Sequence, residues 1–352
     1  MVVPGSIPNM ILSFVNFGSV SVFIYYFSPI LSIYTNSPIF GLGNMISISH
    51  KAKQLLVLLI KLLIVGGAFY FIYNQLAHND KLNWVLFVEK FNKNKSFLGI
   101  SFILLMSVLN RFFEILKWQN LVSYIHKITL FDSTKQVLGA LTAGLFTPNG
   151  IGEYAGKALF FEKSQAKNIV FLNLICNGIQ VIVSVIFGVF GLLYLGYGKW
   201  VLLLLVVGLG FFVLGFGLKK VNIKGYSIEK ILSKINEIPK SIYRKNNYLA
   251  VCRYLIFSHQ YYFLFLAFDV QLPYLTLMAT IATVYFLASS LPTFQFLDFA
   301  VKGSVAVYFF GLLGVNEWIV IFISTLMWFL NVVLPVLIGS YYVLNFKSKW
   351  KQ

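Results

Sequence analysis

Acidic residues are scarce in this chain. Asp and Glu number 11 in 352 residues against 28 Lys and Arg, and all charged types make up only 11%. Soluble globular chains carry about 25% charged residues. So few charges cannot cover a water-facing surface of this size, which excludes a soluble enzyme. The apolar share of 59% excludes a disordered or collagen-like chain. Cysteine is nearly absent: Cys176 and Cys252 each lie in an apolar run, with no paired-cysteine motif and no Cys/His cluster at metal spacing. His50, His78, His126 and His259 are scattered. No metal and no cofactor is expected. Lys and Arg are missing from residues 1–50, so the charged start of a secretory signal is lacking. Pro4, Pro8, Pro29 and Pro38 interrupt that atypical segment. Either Ile11–Tyr34 is a weak membrane helix or translation starts at Met45.

What is present is a series of long apolar runs. Leu55–Tyr73, Phe97–Ile115, Ile169–Leu195, Trp200–Leu218, Leu249–Phe268 and Trp318–Tyr341 read as about six full membrane spans. Residues 74–95, with Trp84, Leu86, Phe87 and Phe91 among polar neighbours, read as an interfacial helix. The net charge of +17 sits in short clusters between the runs, as on cytoplasmic loops facing anionic headgroups, and so does not point to nucleic acid. Residues 219–247 form a basic linker between a first membrane half (51–218) and a second (248–345), and 346–352 form a basic tail. Placing linker and tail in the cytoplasm makes Val137–Phe161 begin and end on one side. That segment is too short for two spans, so it is expected to be a re-entrant hairpin.

The second broken segment, 272–310, resembles the first. Ala143 to Pro148 is followed by Glu153 and Lys157; Ala288 to Pro292 is followed by Asp298 and Lys302. The charge count has the two entered from opposite sides, which is the mark of an inverted repeat whose breaks meet near the midplane. The expected fold is therefore an all-α polytopic membrane protein with two re-entrant broken-helix hairpins. Pro148, Gly150 and Gly152 break the first helix, and the N–H groups of the new helix near Gly152 are expected to form an anion site. Each acid lies one turn from its lysine. A charge at membrane depth costs at least about 2.5–3.5 kcal/mol, so four charges at two matched breaks predict a polar cleft. Either each acid merely neutralises its lysine, or Lys157 and Lys302 attract phosphate while Glu153 and Asp298 hold them. Asn173, Asn177 and Gln180 share one helix face and either bind helices together or line that cleft. His259 lies mid-helix with no obvious partner. Arg111 and Glu114, near a helix end, read as residues that either pair or snorkel to the interface, and Arg253 as a topology signal at a helix start.

The run Phe146-Thr-Pro-Asn-Gly-Ile-Gly-Glu153, then Lys157 and an apolar stretch, resembles the transmembrane region of lysylphosphatidylglycerol synthases, a flippase-like integral membrane family. The family typically shows Pro-Gly-Gly-x-Gly-Glu here and a second proline-centred motif later. The resemblance covers about residues 50–345. Asn149 departs from the pattern, as does Leu291-Pro-Thr-Phe-Gln-Phe-Leu-Asp298. Eleven residues follow Tyr341, too few for the soluble domain that makes the aminoacylated lipid. The resemblance implies a lipid-handling protein of the cell membrane, not an enzyme, with a phospholipid or lipid-linked substrate and a separate lipid-modifying enzyme as partner. An ion-coupled small-molecule transporter is the alternative; a membrane-embedded lipid-modifying transferase is less favoured, because extramembrane acids are few and isolated.

Overall fold

The computed structural model describes residues 97–145, 147, 150–219, 227–291 and 298–347. The segment 1–50, the Leu55–Tyr73 run, the interfacial stretch 74–95, Pro148 and Pro292 lie outside the described residues. Every regular element among the described residues is helical. In chain order these are α1 (Phe97–Val122), α2 (Leu130–Gly144), α3 (Ile151–Ala158), α4 (Ala166–Tyr194), α5 (Gly198–Gly217), α6 (Ile228–Glu237), α7 (Lys240–Ala267), α8 (Tyr274–Ser290), α9 (Asp298–Gly311), α10 (Glu317–Trp328) and α11 (Leu334–Leu344). A π-helical turn, Phe329–Val333, joins the last two.

Four stretches among the described residues are long and apolar enough to cross a bilayer: Phe97–Val122, Lys163–Tyr194, Gly198–Gly217 and Glu317–Leu344. That is the composition of a membrane protein. Helix α7, at 28 residues, is long enough but does not qualify on hydropathy. It carries Asn246, Arg253, Ser258 and Gln260, and Asn246, Ser258 and Gln260 are buried. The shorter helices flank the two breaks. At 1.5 Å per residue, α2 and α3 reach only ~22 Å and ~12 Å, and α8 and α9 ~26 Å and ~21 Å, against a hydrocarbon layer of ~30 Å.

The first break is built by a threonine and two glycines. Thr147 Oγ1 donates to the Gly144 carbonyl (2.7 Å) at the end of α2 and accepts from the Gly152 N–H (2.8 Å) at the start of α3. Gly150 turns the chain with φ 67°, a left-handed conformation that favours glycine. Gly152 permits close approach, since a methyl there would lie 2.7 Å from the Ala143 carbonyl oxygen.

Helices α1 and α7 pack along each other in antiparallel register: Gln260 bonds Ser107, Arg253 bonds Asn110, and Asn120 bonds the Ile242 carbonyl. The broken pairs pack crosswise. Helix α2 lies on α11, with Leu141 and Leu145 against Val336, and α8 lies on α4, with Phe286 against Leu192. Both seams need small residues. A methyl on Gly339 would fall on the Leu138 carbonyl, and one on Gly188 would fall on Phe286. The polar stretch 219–247 is not a simple linker, since α6 lies within it and α7 begins at Lys240.

Gly339→Ala is expected to destabilise the protein by about 1–3 kcal/mol, because the methyl would meet the Leu138 carbonyl as well as the Thr142 hydroxyl, and the backbone carbonyl cannot rotate away. Gly208→Ala, which meets open space among the described residues, should be neutral or gain up to about 1 kcal/mol of helix propensity. Thermal unfolding of the purified protein in detergent distinguishes them.

Candidate functional site: a charged cavity at the centre of the bundle

Helices α1, α7 and the α10–α11 rod carry charged or amide side chains halfway along their lengths, where a membrane helix can least accommodate them. Arg111 donates to Glu114 on the next turn of α1 and to the backbone carbonyl of Asn331. Glu114 is also 3.2 Å from the Arg253 guanidinium. Arg253 Nε donates to Asn110 Oδ1 (3.1 Å), and Asn110 Nδ2 donates to Asn331 Oδ1 (2.7 Å), which closes a ring over three helices. Asn331 Nδ2 donates to Gln260 Oε1 (3.0 Å), and Gln260 donates on to Ser107.

The backbone supplies one member of that ring. Pro335 has no N–H, so the carbonyl four residues earlier, that of Asn331, loses its helical donor. The Leu334 N–H bonds instead to the Phe329 carbonyl, five residues back. The Arg111 guanidinium takes the carbonyl that proline frees. Such single π turns are frequent at functional sites.

This ring forms one wall of a cavity of about 170 Å³. Glu153 from α3 and Asp298 and Lys302 from α9 line it too, so charges that follow both chain breaks reach one space. Lys302 is ion-paired with Asp298 and lies 4.8 Å from the centre of the Tyr285 ring. Lys157 is paired with Glu153 at 2.7 Å and lies 4.6 Å from the Trp118 ring centre. The two ion pairs are therefore built alike, each lysine over an aromatic face.

Lys157 does not line the cavity. It is fully buried behind Glu153, and its third contact is Asn173 Oδ1 at 2.8 Å. Asn173 thus serves Lys157. Asn177 donates to the Tyr154 hydroxyl, and His259 contacts the Leu255 carbonyl and the Tyr274 hydroxyl; none of the three is part of the lining. Gly150 and Gly152 shape the break. The anion site expected at the start of α3 is closed from within, because the Gly152 N–H is taken by Thr147 and the Glu153 N–H by the Gly150 carbonyl.

On the sequence alone Arg111, Glu114 and Arg253 look like helix-end residues. The apolar run ends at Ile115, but α1 continues to Val122, and α7 begins before its apolar run, at Lys240. Both arginines are therefore inside the bundle. Asn331 was missed entirely; the signal for it is a proline four residues later in an apolar span.

These features define a protein of membrane type, all-helical among the described residues, with a charged internal cavity. No family model, no curated protein and no solved structure matches the chain.

Glu114→Gln leaves two mostly buried guanidiniums facing each other. It is expected to cost about 3–5 kcal/mol, the usual penalty for stranding a buried charge. Arg253→Gln leaves the Arg111–Glu114 pair intact and should cost clearly less. Unfolding by titrated SDS in mixed micelles tests the order, and equal losses would contradict it.

Proposed function

We propose that this protein is a flippase-like membrane protein that binds an anionic or amphipathic lipid by its headgroup in the central cavity and moves it across the bilayer. The observation that carries the reading is the convergence of Glu153, Asp298 and Lys302, from two separate chain breaks, on a cavity already walled by two arginines. Charged groups in such a place are costly, and their presence therefore points to function.

The order of elements supports an inverted repeat. A long helix, a short one, a break, a short one and a long one occur twice, as α1–α4 and as α7–α11. One further apolar helix, α5, lies between them, which would put the halves in opposite orientations. The antiparallel register of α1 and α7 agrees. In this reading each broken pair is a re-entrant hairpin, and α1, α4, α5, α7 and the α10–α11 rod are spans among the described residues. The basic residues of 219–247 and of the C-terminal tail favour a cytoplasmic side for both, in a protein of the cell membrane. The resemblance of 146–153 to the lysylphosphatidylglycerol synthase membrane region points the same way, with a separate lipid-modifying enzyme as partner. No nucleotide-binding loop occurs in the sequence, so movement would run downhill or on an ion gradient.

The cavity size also fits a small solute, with Asp298 as a proton site. Proteoliposomes separate these readings. Labelled phosphatidylglycerol, its lysyl ester and a polyprenyl phosphate are offered, and at least one should cross. Lys302→Ala with Arg253→Ala should slow that lipid by roughly tenfold or more, given that each charged contact is worth about 1.5–3 kcal/mol. Lys199→Ala, on an exposed position, should not. No movement of any lipid by folded, inserted protein, with ion-driven solute uptake that Asp298→Asn abolishes, would establish the transporter reading instead.

A further inference from the structure

The charges around the cavity do not cancel. Lys157 balances Glu153 and Lys302 balances Asp298, but Glu114 balances only one of its two arginines. The lining itself carries three cations and three acids, and Lys157, buried behind Glu153, leaves one positive charge in excess around the wall. Lys117, fully buried behind it and bonded to Gln180, adds a field of the same sign. Two buried donors among the lining residues also lack an acceptor: Arg111 Nε on α1 and Trp328 Nε1 on α10. Unsatisfied buried donors are costly, and each needs an explanation. A positive charge and two orphaned donors fit an oxyanion of one negative charge with two equivalent oxygens. The lining leaves no second uncompensated cation for a diphosphate. It offers no uncompensated carboxylate to an ammonium group, because all three acids are already paired.

We propose that the cavity selects a singly charged phosphodiester, whose two non-bridging oxygens accept from Arg111 Nε and Trp328 Nε1. The choice of phosphodiester rests on the reading of the cavity as a lipid headgroup site. The bound phosphate would complete the cluster as a fourth member beside Arg111, Glu114 and Arg253.

Binding is measured by calorimetry on the purified full chain in neutral detergent, independently of transport. The probes are dihexanoyl phosphatidylglycerol, its phosphatidylcholine counterpart, its lysyl ester, dihexanoyl phosphatidic acid, hexanoate and chain-free glycerophosphoglycerol. The singly charged phosphatidylglycerol should bind roughly tenfold or more tighter than the choline and lysyl lipids. Arg253→Gln should erase that preference. Trp328→Phe, which keeps the ring and loses one N–H, should weaken binding several-fold without unfolding the protein. Asp298→Asn, at a pair with side chains 19% and 25% exposed, should survive folding and shift preference toward the dianionic phosphatidic acid. Binding of glycerophosphoglycerol as tight as that of the lipid would uphold the phosphodiester and remove the lipid. Binding without lipid movement in proteoliposomes would uphold the site and remove the translocase. Equal affinity for all headgroups, tighter binding of the lysyl ester or of hexanoate, or an unchanged preference in Arg253→Gln would overturn the proposal.

Discussion

Glu114 between two arginines is the interaction on which the centre of this protein depends. Moving any one of those charges out of water is expensive, and a pair recovers the cost only with good geometry and further hydrogen bonds. Here the geometry draws on three helices at once. Arg111 and Glu114 come from α1, Arg253 from α7, and the accepting carbonyl from the π turn after α10. None of these helices can shift along its neighbour without breaking a charged contact. In a bilayer, apolar side chains add little to helix association because lipid is equally apolar. Polar contacts and close packing of small residues must set the register, and both are present.

The same arrangement explains why a proline sits in the last long helix. Taken alone, Pro335 weakens its helix by removing a hydrogen bond. In this fold it exposes the Asn331 carbonyl to a guanidinium, and the π turn re-pairs the neighbouring groups. The Asn331 side chain, displaced in the same turn, joins Asn110 to Gln260. Backbone irregularity at depth is tolerated where protein surrounds it.

Much of this was legible in the sequence, for identifiable reasons. Long apolar runs announce helices because nothing else satisfies the backbone in lipid. Two breaks followed by an acid and a lysine one turn apart announced charged ion pairs, which the structure contains as Glu153–Lys157 and Asp298–Lys302. Hydropathy marks where a helix is apolar, not where it ends, so Arg111 and Arg253 read as terminal when they are central. Spacing along one helix also cannot say what lies behind it. Lys157 shares a face with Glu153, yet Trp118 and Asn173 enclose it and only the acid reaches the cavity. The closed start of α3 was hidden for a similar reason. Thr147 read as part of a break, and its hydroxyl proved to be the cap.

The crosswise docking of α2 on α11 bears on how the chain is made. The Thr142 hydroxyl meets the Val336 carbonyl across 194 positions of sequence. At synthesis rates of about 5–20 residues per second, α2 exists for roughly 10–40 s before its packing surface does. During that interval a short helix, broken at its end and carrying the Glu153–Lys157 pair just beyond, has only the first half of the chain to shelter it. The first broken pair therefore completes its packing only when the last long helix arrives, and assembly of this fold is the slow closing of a clasp.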